Sequence, residues 1–129
     1  PKGLFGGLSS GPGGIDTKDV AAAIESVVRL YALRHHLAET STFDRLRRLE
    51  EVGAVSATGH EELAQAYDFV MTLRLRRQVS RLRSGQTPDN EVDLRSLNHL
   101  EEGLMKQVFS LLGTFQKKIQ YDFLGGAGL

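Results

Sequence analysis

The chain has no cysteine, which excludes a disulfide framework and a thiolate zinc site and permits a reducing compartment. It also has no net charge, since 16 Lys and Arg balance 16 Asp and Glu. A general nucleic-acid binder carries a basic excess over its whole surface, so that class is set aside and any polyanion site must be local. No charged-then-apolar leader opens the chain, and no uncharged apolar run approaches the ~20 residues that a membrane span requires. The expectation is a soluble, cytoplasmic protein with no membrane partner. The alternation of a β-strand is missing too, as is any repeat with a period of roughly 20–50 residues.

What is present is 129 residues with 40% hydrophobic content, enough for one domain with a core of ordinary size. The chain begins at Pro1 and opens on PKGLFGGLSSGPGG, a composition too costly in backbone entropy for regular structure. Residues 1–14 read as a linker or extended arm of a longer protein. Leu4, Phe5 and Leu8 in it are available to dock on a neighbouring domain, and a disordered lead-in is the equal alternative.

Beyond it the helical period takes over, and residues 15–124 read as one helical domain with a frayed tail at 125–129. Val20, Ile24, Val27 and Tyr31 define a first helix from Asp16 to about Leu37, capped by the aspartate. The order STFD starts a second helix at Ser41, with Phe43, Leu46, Leu49 and Val52 on one side and Gly53 as its stop. A third, opened by Ser56 or Thr58, carries Leu63, Ala66, Tyr67, Val70 and Met71 and ends near Gly85. At about 27 residues it would span roughly 40 Å. After the turn QTPDNEV, Asp93 caps a fourth helix running to Leu124, with Leu94, Leu97, Leu104, Val108, Leu112, Phe115 and Ile119 in its stripe. The fold class is all-α: an up-and-down four-helix bundle whose last two helices form a long antiparallel hairpin. A hairpin that pairs with a second subunit is the structural alternative.

The stretch LRLRRQVSRLRSGQTPDN holds five arginines and no acid before Asp89. At about 100° per residue, Arg74, Arg77 and Arg81 extend the line of Leu63, Tyr67 and Val70, while Arg76 and Arg83 fall on the outer side. Glu101 projects into the middle of the fourth stripe, beside Leu97, Leu104 and Met105, and a carboxylate there needs a partner. Antiparallel register gives it Arg77, with Arg74 as substitute. Two readings stay open: an ion pair that holds the helices in register, or a polar pocket whose arginines grip a phosphate-bearing ligand. Arg34 is a third inward cation at the end of the first helix, or a cap on that helix's negative end.

Five motifs in order carry a resemblance: IDTKDVAAAIESVVRLYALRHHL, STFDRLRRLEEVGAVS, LRLRRQ, GQTPDNEVDLRSL and LEEGLMKQVFSLLGTFQKKI. From about Gly14 to Phe123 the chain resembles the nucleotidyltransferase substrate-binding domain, a helical module that follows a nucleotidyltransferase domain in bacterial signalling proteins, often beside CBS modules. The resemblance implies a bundle packed against that preceding domain, with magnesium and the nucleoside triphosphate held there by an Asp-x-Asp pair. No such pair occurs in this sequence, so no cofactor is expected in this fragment and it should not transfer nucleotides alone. Matching positions are Arg29, Tyr31, Arg34, Ser41, Thr42, Arg45, Arg74, Gln78, Asn90, Glu101 and Lys106, and Glu102 departs from the basic residue expected there. The implied role is to hold an acceptor, a protein or a small molecule. Arg74, Arg77 and Gln78 would contact phosphate or acceptor, Glu101 would orient the arginines or act as general base, and Lys106 would lie nearby.

Other functions fit less well. His99 copies the glycine spacing of a phosphorelay domain, but Glu102 stands where a lysine should steady the phosphate. Arg29 and His35 have the spacing of a HEPN ribonuclease motif but lie in the first helix. A metal set from His35, His36, His60 and His99 lacks sequence spacing. Homodimerisation through the apolar stripes remains a structural rival.

Overall fold

A computed structural model describes residues 14–125. The arm at 1–13 and the tail at 126–129 lie outside the described residues. Four helices make up most of the described chain: α1 (Thr17–Arg34), α2 (Thr42–Glu51), α3 (Ala57–Arg83) and α4 (His99–Leu124). The bundle is all-α in class, with two additions. Ile15–Asp16 (β1) and Glu91–Val92 (β2) pair antiparallel, Ile15 opposite Val92, and Leu94–Ser96 form one 3-10 turn. Two residues a side are too few to leave an alternating pattern in the sequence.

Local chemistry sets the helix ends. Asp16, Ser41 and Ser56 cap α1, α2 and α3 by accepting first-turn amides. α1 stops at Arg34, short of Leu37, because His36 takes a left-handed φ of 57° and the Leu37 amide turns back to the Ala32 carbonyl at 3.0 Å. Gly53 and Gly85 close α2 and α3 in the same manner.

The start of α4 corrects the expectation. Asp93 caps only the 3-10 turn, and the chain is extended again at Leu97. Asn98 then begins α4 through a capping box: its side chain accepts the Glu101 amide at 2.8 Å, and Glu101 accepts the Asn98 amide at 3.1 Å. Residues 84–98 therefore join α3 to α4, a longer connection than the turn QTPDNEV alone.

One core runs through the bundle, from Val20, Ile24 and Val28 of α1 through Leu46 and Leu49 of α2 and Leu63, Val70 and Leu73 of α3 to Val108 and Leu112 of α4. Arg76 meets Glu101, Ala66 and Phe69 share a shallow groove with Leu104 and Val108, and Gly59 approaches Phe115, so α3 and α4 run in opposite directions. Thr17 at the start of α1 bonds to Asn90 ahead of α4, and Tyr31 near its end packs edge-on against Phe123 near the end of α4, so α1 runs parallel to α4, where a strict up-and-down order would set the two antiparallel. The loop that answers the arginines is anchored at Gly14: a Cβ there would lie 2.3 Å from the Val92 carbonyl oxygen, at a φ of 116°. Only glycine allows so close an approach of the two strands.

Candidate functional site

The arginine run meets the loop that follows it, and Asn90 is the hub. Its Oδ1 accepts from Arg74 Nε at 2.8 Å and from Gln78 Nε2 at 3.0 Å. Its backbone carbonyl accepts from both the amide and the hydroxyl of Thr17, at 2.8 and 2.7 Å. One residue earlier, Asp89 takes a forked pair of bonds from Arg77, at 2.7 and 3.2 Å, and lies 3.6 Å from Arg81. Arg81 donates to the Thr87 carbonyl as well. These contacts stitch the start of α1, the second half of α3 and the connecting loop into one polar belt.

The expected pair of Arg77 with Glu101 does not form, and Arg74 does not replace it. Arg76 Nη2 lies 2.8 Å from Glu101 Oε2 instead. Two causes act together. Asp89, only 12 positions along the chain from Arg77, reaches its guanidinium first. The late start of α4 also puts Glu101 in the first helical turn, where Oε1 serves the Asn98 amide and Oε2 is left for the outward Arg76. With both oxygens engaged, Glu101 is not placed to act as a general base.

The electrostatics follow this geometry. The bond from Arg77 holds the Asp89 carboxyl below the usual aspartate range. The Asn98 amide, then Arg76, does the same for Glu101, and the Tyr31 hydroxyl does so for Asp122. A carboxylate whose folded pKa is depressed contributes stability that is complete above its unfolded value and lost as pH falls through the folded one. The melting temperature should therefore stay level from neutral pH to about 5 and fall below about 4, the unfolded carboxylate range. Thermal melts followed by circular dichroism across that range test this, and Asp89→Asn should make the acid limb shallower.

Between the belt and α4 lies a cavity of about 300 Å³. Arg76, Arg77 and Ser80 wall it on one side, Asp93, Asn98 and Glu101 on the other, over an apolar floor of Leu73 and Val92. Of the residues singled out from sequence, Arg77 and Glu101 line this cavity, whereas Arg74 and Gln78 stand behind it and hold Asn90. Lys106 lies on the exposed side of α4, outside the lining. Arg34 is at the far end of the bundle and exposed: it donates to the Asp122 carbonyl and stacks 4.9 Å from the Phe123 ring. It therefore caps the end of α4 instead of joining the belt. Beside it the Tyr31 hydroxyl donates to Asp122 at 2.6 Å, and burial, then that bond, push the phenol pKa up.

Sequence reasoning missed the roles of Asp89 and Thr17. Asp89 ends the arginine run, and an acid at the first polar turn after such a run is the signal that was there to use. Thr17 left none, because its partner is a backbone carbonyl 73 positions away. Among the described residues no cluster of three His, Cys, Asp or Glu side chains is placed to hold a metal. His99 is fully exposed, with Glu102 3.9 Å from its Nδ1. Arg29 and His35 are exposed as well. No helix among the described residues is long and apolar enough to cross a membrane.

Comparison with known proteins adds an independent line. A family model described as "Putative nucleotidyltransferase substrate binding domain" matches residues 1–123. The bifunctional glutamine synthetase adenylyltransferase/adenylyl-removing enzyme of Streptomyces coelicolor is 38% identical over 96 residues, which is 70% of this chain and 9% of that protein. The chain thus spans under a tenth of the relative's length. No solved structure matches.

Proposed function

The chain belongs to this family of nucleotidyltransferase substrate binding domains, and from that membership we propose that it is a non-catalytic module that holds the acceptor of a nucleotidyl transfer. The observation that carries the reading is the extent of the match, residues 1–123, which leaves almost none of the chain for another activity. The nucleotide and its magnesium belong, on this reading, to a nucleotidyltransferase domain beside it. The carboxylates at the belt and cavity are poorly suited to holding that metal, because Asp89, Asp93 and Glu101 are each engaged by arginine or backbone amides. The signalling setting that the sequence resemblance implies is part of the same proposal.

The cavity between α3 and α4 is the candidate acceptor contact. Its walls offer guanidinium groups on one side and carboxylate and amide groups on the other, which suits a polar protein loop better than a bare phosphate. The relative's name, which couples adenylyl transfer to glutamine synthetase, supports a protein acceptor. Arg74 and Gln78 would act through Asn90 as positioning residues, keeping Arg77 and the loop in place.

Isothermal titration of the chain with glutamine synthetase, and separately with ATP, CTP and UTP in magnesium, tests the proposal. Binding of the protein that Ser80→Trp weakens at least tenfold, in a variant that melts like the parent, is the expected result. Binding of a nucleoside triphosphate that the same variant abolishes, with no heat from the protein, would move the domain's role from acceptor to nucleotide.

A further inference from the structure

The outer face of α3 carries an apolar ridge where a solvated helix would be polar. Leu75, Val79 and Leu82 are 62%, 38% and 61% exposed. At about 100° per residue they lie within about 60° of one another, on the side opposite the buried Val70 and Leu73. Their spacing, four positions and then three, is that of one strand of a coiled-coil seam. Thr72 and Asp68 continue the same register toward the start of α3, so the apolar part ends there. Arg76 and Arg83 follow one flank of the ridge, seven positions apart and both exposed. The other flank carries Met71 and Gln78, which are uncharged. Arg83 has no carboxylate within ion-pair distance among the described residues, and Arg76 meets Glu101 while staying 56% exposed.

We propose that this ridge docks an amphipathic helix of a protein partner, with apolar side chains at the same seam spacing and carboxylates along the flank that meets Arg76 and Arg83. Charge selects this occupant over two others. In an antiparallel pair of identical helices the same flank faces its own copy, so Arg76 and Arg83 would meet arginines. In a parallel pair they would meet Met71 and Gln78 and gain nothing. A lipid surface is matched by a long apolar face with aromatic side chains near the headgroups. This ridge is roughly 10 Å long, has no aromatic residue on it, and ends at Asp68.

The test uses a fluorescein-labelled synthetic helix of roughly three heptads, with leucine along its seam and glutamate on its flanks, against a counterpart with lysine flanks. Anisotropy with the wild-type chain should show the glutamate peptide binding about fivefold tighter than the lysine peptide, the size two exposed charge pairs give. Arg83→Glu should narrow or reverse that preference, and Leu75→Glu with Leu82→Glu should remove binding of both peptides while leaving the thermal melt unchanged. The proposal fails if neither peptide binds, if flank charge makes no difference, or if the double variant binds like wild type. Two further results would replace the occupant: a wild-type dimer in analytical ultracentrifugation that the double variant dissolves, or sedimentation with phosphatidylserine vesicles that it abolishes.

Discussion

Leu73→Ala should cost the fold about 2–5 kcal/mol, the range for truncating a buried leucine. That corresponds to a fall in melting temperature on the order of 10 °C for a domain of this size. Leu73 is 2% exposed and lies where the apolar core of α3 gives way to its polar belt. Val70 is one turn before it, Arg74 and Arg77 follow, and its side chain forms part of the cavity floor. α3 is held against α1 on one side and β2 on the other, so it cannot shift to close the space that the methyl groups vacate. Leu75→Ala is the control. Two positions along the same helix but 62% exposed, it should change stability by no more than about 0.5 kcal/mol. Urea and thermal melts of both variants would settle the comparison, and equal effects would mean that the burial of this stretch of α3 is not as described.

That contrast between neighbours also shows what a sequence can reveal here. The helices themselves are legible because their causes are local. Asp16, Ser41 and Ser56 each sit ahead of an apolar period, and Gly53 and Gly85 follow its end. The start of α4 is harder, because Asp93 and Asn98 are both good caps. The deciding feature is Glu101, three residues after Asn98, which completes a capping box. As a residue in mid-stripe, Glu101 would need a buried arginine. Read as the third residue of a helix, it already has one partner and asks only for a surface cation. The arginine register is harder still. Arg76 and Arg77 are both level with Glu101, and the choice between them depends on a rotation of about 100° and on whether Asp89 is within reach. Long-range contacts to backbone, such as Thr17 to Asn90, leave no trace in residue type at all.

Asn90→Ala is expected to destabilise the chain by about 1–3 kcal/mol, because it strands two part-buried donors, on Arg74 and Gln78, with no acceptor. The carbonyl contact with Thr17 should persist, since it belongs to the backbone. Asn90→Asp separates the possible causes. A carboxylate at this position has the same shape, can still accept from both donors, and places a negative charge beside Arg74. It should therefore keep most of the stability that alanine loses. If the loss in Asn90→Ala is confirmed by thermal melts and restored in Asn90→Asp, Arg74 and Gln78 at the rear of the belt are structural. Ligand contact then falls to the cavity wall of Arg76, Arg77 and Ser80. If Asn90→Ala instead melts like the parent, Arg74 and Gln78 do not depend on the loop. Their donors would then be available to a bound acceptor, and the belt itself would have to be tested as the ligand site.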